Sequence, residues 1–505
     1  MSHRSRRRIA TAGLAAVSMT AAGLAAAITP AGAAPAAENP AAHFVVLGPQ
    51  NADLTTTLQS IAAAGGQVLQ SWPQIGVVFV ASTDADFAVS VRDQPGVQQA
   101  GASRALVEVA GQALGTAGIA EAPDDRDLEA DTIPAGAAPM SINAAQEPLA
   151  ANQWDMRLIR ADAANDVSGG SPSTLVGVLD SGIDAAHPDL APNIDAANSV
   201  GCTNDGVPDA SPSAWAPTTS DHGTHVAGTI GAARNGIGIA GVAPNVRLAS
   251  VKVVNDDGFI YPEYAVCGFV WAAEHGIDVT NSSWFADPWY RWCSTDPDQK
   301  AGYDAMRRAI DYSDKRDVVN VAALGNSNWD LAHEILDEGS PNNQTSISRL
   351  TDSSCNKVPA EVPGVVGVSS VGPTSQKAYY SNYGVGDTEV AAPGGDRFVV
   401  PNTPDGNGRV LSTVYPGGGW GYKQGTSMAS PHAAGVVALI RSTHPEWSAS
   451  QVVSALQNQA DRLACPANPY DPTGNGAWLA TCQGGNGGGG FYGAGLIDAL
   501  DAVTK

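Results

Sequence analysis

The chain has 505 residues, of which 43% are apolar and 15% are charged, a composition typical of a globular protein with a large core. Acidic residues outnumber basic ones by 50 to 27, which gives a net charge of −23. Because a surface this negative repels nucleic acid and anionic lipid, we expect neither as a partner. The length predicts two or three folded units.

Residues 1–34 have the organisation of a secretion signal. Four arginines among the first eight residues precede an uncharged, Ala- and Leu-rich stretch from Ile9 to Ile28. Pro30 and the small residues Ala31-Gly32-Ala33 follow at once, as in a cleavage site. The alternative is a transmembrane anchor, but the stretch is only weakly apolar. We therefore expect export, removal of the segment, and no membrane contact afterwards.

Residues 41–107 predict a small α+β unit of the ferredoxin-like type. The pattern indicates a strand at Phe44–Leu47, a helix over Asp53–Ala64, a second strand at Gly76–Ala81 and a second helix over Asp84–Arg92.

Residues 108–148 lose this periodicity. They are rich in Ala, Gly and Pro and carry an acidic cluster between Asp124 and Asp131. Such a stretch cannot bury enough apolar surface to order itself, so it predicts a flexible linker. Exposed, flexible chain is also where proteases cut.

Residues 149–505 predict an α/β domain. Its clearest strands are Leu175–Leu179, Val251–Val254, Val318–Ala323 and Val365–Val371, each a nearly continuous apolar run. Such runs are typical of a parallel sheet that is buried on both faces, and the helical stretches between them predict a doubly wound architecture. In such sheets the functional site lies outside the carboxyl ends of the strands.

Three short motifs in this domain carry reactive side chains. They are Asp180-Ser-Gly-Ile-Asp184, His222-Gly-Thr-His-Val-Ala-Gly228 and Gly425-Thr-Ser-Met-Ala-Ser-Pro-His432. The order Asp, His, Ser is that of subtilisin and differs from the orders of chymotrypsin and the α/β-hydrolases. From about Trp154 to Ala502 the chain resembles the subtilisin-like serine proteases, or subtilases. The resemblance implies a serine endopeptidase.

The resemblance also implies the role of each residue. A serine hydroxyl needs a base, and an imidazole needs a carboxylate to hold its tautomer. Ser427 is thus the expected nucleophile, His222 the general base and acid, and Asp180 the orienting carboxylate. Asn326 ends a segment that resembles the strand before the family's oxyanion-hole asparagine, although an asparagine after a glycine is also common in turns.

Each motif contains rival residues for these roles. Asp184, His225 and Ser430 lie three or four residues beyond the favoured ones. We expect them to be structural, because the resemblance assigns the chemistry to the first Asp, the first His and the serine at the helix mouth. His187 and His432 are expected in the core or at helix caps.

A peptide substrate would lie as an extra strand between two walls of a cleft. The resemblance implies that the substrate-binding residues are Ser283, Trp284, Phe285, Ala323, Leu324 and Gly325. The family usually has small residues where Trp284 and Phe285 stand, and an insert follows at Asp287–Pro297. We therefore expect an aromatic pocket and narrow specificity. This region is most similar to secreted bacterial subtilases related to lantibiotic leader peptidases.

The resemblance implies no cofactor for catalysis, but it does imply a candidate structural calcium site. Asp189 and Asn235 stand at the family's spacing and offer oxygen ligands together with loop carbonyls. The glutamine that often completes the site is not recognisable near residue 150, so the metal assignment stays open.

Six cysteines in an exported chain suggest disulfides, although free buried thiols are an alternative. Six cysteines allow 15 pairings, and the sequence does not choose among them. A first guess joins Cys465 to Cys482, which bracket one Gly- and Pro-rich loop, and then Cys293 to Cys355 and Cys202 to Cys267.

Together these features predict a secreted, monomeric serine endopeptidase made as a preproprotein. Residues 41–107 resemble the inhibitory propeptide that precedes many subtilases, so the partners are its own propeptide and protein or peptide substrates. The alternative from another class is a catalytically silent subtilase scaffold that acts as a binding protein. A dedicated processing peptidase would share the chemistry and differ only in substrate.

Overall fold

The computed structural model describes residues 41–104, 132–133, 147–484 and 489–505. The predicted signal 1–34 and most of the predicted linker 108–148 lie outside these ranges. The described residues belong to one compact unit. Within them, no helix combines the length and the apolar character needed to cross a bilayer.

The N-terminal part is a four-stranded antiparallel sheet with two helices. Its elements are β1 (Ala42–Leu47), α1 (Thr55–Ala63), β2 (Gln67–Trp72), β3 (Val77–Ser82), α2 (Phe87–Arg92) and β4 (Gln99–Ala102). The order β2-β3-β1-β4 is that of a ferredoxin-like unit. The sequence missed β2 because most of its residues are polar or exposed and show no apolar alternation.

The larger part contains the remaining strands. They are β5 (Thr132–Ile133), β6 (Leu175–Asp180), β7 (Val200–Asn204), β8 (Val207–Asp209), β9 (Arg247–Lys252), β10 (Val279–Ser282), β11 (Trp292–Cys293), β12 (Val319–Ala323), β13 (Ile335–Asp337), β14 (Arg349–Thr351), β15 (Cys355–Asn356), β16 (Val366–Val371), β17 (Val390–Pro393), β18 (Val410–Val414) and β19 (Gly419–Lys423). Eight of these strands form the central sheet in the order β17-β16-β12-β10-β6-β9-β7-β8. All neighbours in it are parallel except β7 and β8.

Helices cover both faces of the central sheet. They are α3 (Trp154–Leu158), α4 (Ala161–Val167), α5 (Pro212–Trp215), α6 (His222–Gly231), α7 (Pro262–Glu274), α8 (Pro297–Asp314), α9 (Thr426–Thr443), α10 (Ala449–Gln459), α11 (Gly489–Tyr492) and α12 (Ala499–Thr504). On β6, Val176 and Val178 belong to the core under α6 and α9, while Leu175 and Leu179 belong to the core under α7 and α8. Burial on both faces explains the continuous apolar runs.

The N-terminal part packs on helix α8. Arg308, which is 8% exposed, donates from Nη1 to the carbonyl oxygens of Gly48 at 2.9 Å and Ile75 at 3.1 Å. Its Nη2 donates to Oε1 of Gln98 at 2.8 Å. At Gly101 an added Cβ would lie 2.4 Å from the carbonyl oxygen of Asp298, so β4 approaches α8 as closely as only glycine allows.

One part of the predicted linker has regular structure. Thr132 and Ile133 form β5, which pairs antiparallel with Gly421 and Trp420 of β19. A structureless stretch was predicted here because the local sequence shows no periodicity. The hydrogen bonds that hold β5 come instead from a hairpin almost 300 residues away in the chain.

All six cysteines are paired. The disulfides are Cys202–Cys267, Cys293–Cys355 and Cys465–Cys482, and the alternative of free thiols is wrong. The guessed pairing is thereby confirmed.

Candidate active site

Asp180 and His222 meet at the carboxyl edge of the central sheet. Asp180 is the last residue of β6 and is 1% exposed, and His222 is the first residue of α6. The Nδ1 atom of His222 lies 2.8 Å from Oδ1 and 3.0 Å from Oδ2 of Asp180. With Nδ1–H donating to the carboxylate, Nε2 is the ring nitrogen that can accept a proton.

Packing at Gly223 permits this approach. A Cβ at Gly223 would lie 2.5 Å from the carbonyl oxygen of Gly182 and 3.1 Å from Cβ of Asp180. The glycine after His222 therefore lets the start of α6 pack directly on the loop that follows β6.

Ser427 is the second residue of α9, at the mouth of the helix. It is 8% exposed, and its Oγ donates to the carbonyl oxygen of Ser283 at 3.1 Å. In return, Oγ of Ser283 donates to the carbonyl oxygen of Ser427 at 2.8 Å. Two reciprocal hydrogen bonds thus hold the serine against the end of β10.

Asn326 is oriented by the residue before Ser427. Its Oδ1 accepts hydrogen bonds from the backbone N–H of Thr426 at 2.8 Å and from Oγ1 of Thr426 at 2.9 Å. A Cβ added at Gly425 would lie 3.4 Å from Nδ2 of Asn326 and 3.6 Å from the backbone N of Ser427. Two N–H donors therefore border the same small space, which is the arrangement that stabilises an oxyanion.

A cleft of about 450 Å³ brings most of the predicted residues together. Its lining includes Asp180, His222, Ser427, Ser283, Trp284, Phe285, Ala323 and Gly325. Leu324 and Asn326 are not among the lining residues. The side chain of Leu324 is fully buried in the core, and its backbone N and O bond to Val368 and Asn382.

The two aromatic residues of the wall differ in their surroundings. Trp284 is 8% exposed, packs near Phe269 and donates from Nε1 to the carbonyl oxygen of Leu179 at 2.6 Å. Much of this ring therefore belongs to the core. Phe285 is half-buried and contacts the ring of Tyr290 edge-on, with the centroids 4.7 Å apart.

The rival residues have structural contacts. Ser430 is fully buried and donates to Oδ1 of Asn281 at 2.6 Å. His225 is fully buried, with Nε2 3.2 Å from the carbonyl oxygen of Gly421. Asp184 accepts from the backbone N–H of Ala186 at 3.0 Å within its own turn.

The other two histidines considered in the sequence analysis also lie in the core. His187 and His432 are fully buried, and Nε2 of His432 lies 3.0 Å from Oδ2 of Asp155. Burial lowers the pKa of His187.

A second cluster of oxygens surrounds Asp189. Its Oδ2 accepts from Nε1 of Trp420 at 2.7 Å, while its Oδ1 is buried without a hydrogen-bond partner among the described residues. Glu147, whose Oε2 is likewise buried and unpartnered there, accepts from Gly236 N–H at 3.0 Å. Asn235 donates to the carbonyl oxygen of Pro188 at 3.1 Å. Burial raises the pKa of Asp189 to about 7 and also raises the pKa of Glu147.

This donor set fits a hard cation such as calcium, because all the available ligand atoms are oxygens. Two of them, Oδ1 of Asp189 and Oε2 of Glu147, are buried without a hydrogen-bond partner among the described residues. Glu147 is a residue that the sequence reasoning missed. We expected an amide near residue 150 and did not consider a carboxylate in its place. Lys357, which also lines the cleft, was missed because no motif marks it.

A mostly parallel α/β sheet with Asp180, His222 and Ser427 around one cleft at its carboxyl edge defines a subtilisin-like fold. The family model of the subtilase family (peptidase S8) matches residues 171–487. The chain therefore belongs to the subtilase family.

Several characterised proteins are similar to it. Subtilisin NAT of Bacillus subtilis subsp. natto is 32% identical over 308 residues, which are 60% of this chain and 65% of that protein. Subtilisin DY of Bacillus licheniformis is 34% identical over 61% of this chain and 92% of its own length. The chain thus spans just under two thirds of subtilisin NAT and nearly all of subtilisin DY.

Solved structures agree on the fold. An epidermin leader peptide processing serine protease from Staphylococcus aureus superposes with a TM-score of 0.66 at 20% identity, covering 92% of this chain and 98% of that one. Fervidolysin from Fervidobacterium pennivorans, described as a keratinolytic enzyme related to subtilisin, gives a TM-score of 0.60 at 23% identity, covering 93% and 62%.

Proposed function

We propose that this chain is a secreted serine endopeptidase that hydrolyses peptide bonds through an acyl-enzyme on Ser427. The observation that carries the proposal is the 2.8 Å contact between His222 Nδ1 and Asp180, in a cleft that Ser427 also lines. Membership of the subtilase family supports the same reaction.

In this mechanism Oγ of Ser427 attacks the scissile carbonyl carbon while Nε2 of His222 takes the hydroxyl proton. Asp180 holds the ring and stabilises the imidazolium. Nδ2 of Asn326 and the backbone N–H of Ser427 donate to the oxyanion of the tetrahedral intermediate. His222 then protonates the leaving amine as the C–N bond breaks. Water, deprotonated by His222, hydrolyses the ester and restores the serine.

Covalent labelling distinguishes the endopeptidase from the alternative of a catalytically silent scaffold. We expect a fluorophosphonate probe to modify Ser427 in the matured chain, and we expect casein cleavage to be lost in step with labelling. Modification is read by mass spectrometry of the peptide that contains Ser427, with heat-denatured protein as the control. A folded chain that neither labels nor cleaves would support the scaffold.

We further propose that residues 1–34 are a signal and that 41–107 act as an intramolecular inhibitor joined by the cleavable linker 108–148. The buried Arg308 contact between the two parts supports this. The maturation cut is expected before Thr132, because β5 pairs with β19 and Glu147 joins the oxygen cluster of the catalytic part.

Arg308 is the strongest test of how the N-terminal part is held. In a Ser427→Ala background, Arg308→Met is expected to lower the free energy of local opening of β1, β3 and β4 by roughly 3 kcal/mol, because buried acceptors lose a charged donor. Hydrogen exchange of these strands measures it. Arg307→Met is the matched control, since among the described residues Arg307 forms ion pairs with Asp304 and Asp311 of its own helix and with no other carboxylate. Equal exchange in both variants would contradict the proposal.

A structural calcium ion is proposed at Asp189, Asn235 and Glu147, where it would hold the loops together and take no part in bond breaking. In a Ser427→Ala background, excess chelator is expected to lower Tm by roughly 3 °C, since calcium at 100 times Kd contributes about 2.7 kcal/mol and a folded unit of this size unfolds with an entropy of about 0.9 kcal/mol/K. Asp189→Asn should no longer respond to calcium, whereas Asp209→Asn, at an exposed site, should respond as the parent does. A Tm that is the same with calcium and with chelator would remove the site.

A further inference from the structure

One lysine is among the described residues that line the cleft. Lys357 lines the same cleft as Ser427 and is only 2% exposed. Its Nζ lies 4.5 Å from the centroid of the Phe285 ring. The same Nζ lies 2.7 Å from the point that a Cβ on Gly325 would occupy. Phe285 and Gly325 belong to the two opposite walls of the predicted substrate cleft. Because the ammonium of Lys357 is close to both, it lies at the floor of the cleft between the walls.

The sequence of the walls makes room for this side chain. Gly325 has φ of +102°, and a Cβ there would also meet Cε of Lys357 at 3.0 Å. A larger residue at 325 would therefore displace the lysine. Gly325 therefore has two roles: it adopts a positive φ, and it leaves space for the ammonium of Lys357.

The backbone of Lys357 is fixed from behind. Its N–H donates to Oε2 of Glu361 at 2.7 Å, and Oε1 of Glu361 pairs with Nη2 of Arg291 at 2.9 Å. Both partners of that ion pair are at most 4% exposed. Two residues earlier, Cys355 forms a disulfide with Cys293. The backbone of Lys357 is therefore held rigidly, as is required of a residue that recognises a substrate side chain.

The charge of the cleft is unusual at this point. Among the described residues that line it, Lys357 is the only lysine or arginine, and the carboxylates of the lining are Asp180, Asp256, Asp257 and Asp287. Of these, Asp180 pairs with His222 and Asp256 with Lys252. The carboxylate of Asp287, which also lines the cleft, accepts hydrogen bonds from the N–H of Ile260 and from Nδ2 of Asn342, among its contacts. A substrate carboxylate that reached Lys357 would gain a charge-assisted hydrogen bond, whereas a substrate ammonium would meet a like charge in a water-poor site.

We infer that Lys357 determines specificity and that the enzyme cleaves after acidic residues, with the P1 aspartate or glutamate side chain bound at Lys357. This inference rests on the proposed endopeptidase function. The chain's own linker contains such residues: Asp124, Asp125, Asp127, Glu129 and Asp131, which lie outside the described residues, shortly before or next to β5. Cleavage after any of them would leave β5 with the catalytic part.

The test compares matured enzyme on peptides that differ only at P1, which is Glu, Asp, Gln, Leu or Lys, at 0.15 M salt. We expect kcat/KM for the better acidic residue to exceed that for Gln at least tenfold, with Lys lowest. Lys357→Met is expected to remove the preference of acid over amide, and Lys357→Glu to favour P1 Lys. Lys315→Met, which removes an exposed charge, is the matched control and should retain the wild-type profile.

Fluorophosphonate labelling keeps the two proposals apart. A variant that labels at the wild-type rate has intact chemistry, so its P1 profile reports on Lys357 alone. Labelled wild type that cleaves Glu and Gln peptides equally, or labelled Lys357→Met that keeps the acid preference, would overturn the inference and leave the endopeptidase function standing. Wild type that neither labels nor cleaves any peptide would overturn both.

Maturation offers a second readout. When Ser427→Ala precursor is treated with a trace of wild-type enzyme, we expect N-terminal sequencing to place the cut after an acidic residue between 124 and 131. A cut after an apolar or basic residue would contradict the inference.

Discussion

Ser427→Ala is expected to lower kcat for peptide hydrolysis by about 10⁶, the size of the effect measured in subtilisin, a relative of this chain. The reason is that the hydroxyl of Ser427 lies between the carbonyl oxygen of Ser283 and the N–H donors around Gly425, where it is the expected nucleophile. Kinetics on a chromogenic peptide measure the loss. The precursor should also accumulate uncut, which a gel of the secreted protein would show.

Ser430→Ala is the matched control for this change. Ser430 lies one turn further along α9, and its hydroxyl bonds to Asn281 away from the cleft. We expect the variant to mature and to keep turnover within about tenfold of wild type, since it loses one buried hydrogen bond. Full activity in Ser427→Ala, or inactivity of correctly folded Ser430→Ala, would show that Ser427 is not the nucleophile.

Asp180→Asn is expected to lower kcat by about 10⁴ with little change in fold. An asparagine fills the same volume, but its amide can donate to Nδ1 of His222, which places the ring proton on Nε2 and blocks acceptance of the serine proton. Binding of peptide is expected to survive because the walls of the cleft are unchanged. The measurement is kcat and KM separately, on enzyme matured in trans by a trace of wild type.

Asp184→Asn serves as the control for the carboxylate. Asp184 stands four residues after Asp180 and accepts a hydrogen bond within its own turn. Its neutral variant should retain wild-type kcat. If Asp184→Asn caused the larger loss, Asp180 would not be the carboxylate that orients His222.

The maturation and specificity proposals are linked by charge. In the sequence, nothing indicates a function for the acidic cluster of the linker, and no motif marks Lys357 as a binding residue. The fold places Lys357 between Phe285 and Gly325. An acidic residue of the linker could then bind this lysine at P1, which would explain why the linker is acidic.

The local sequence was sufficient where periodicity or a motif is self-contained. The strand Leu175–Leu179 was predicted because a continuous apolar run is a local property, and the structure extends it by one residue to Asp180. Strand β2 was missed for the converse reason, since its exposed polar residues are held by hydrogen bonds to β3 and not by burial.

What the sequence determined by itself was the family and the residue types that its chemistry requires, because three motifs in one chain order carry that information without any contact being known. What only the tertiary structure decided was which distant groups share a space. Glu147 joins Asp189, β5 pairs with β19, Leu324 is buried in the core, and Lys357 contacts both walls of the cleft. Such contacts join residues that are far apart in the chain, and packing fixes them, so no local pattern records them.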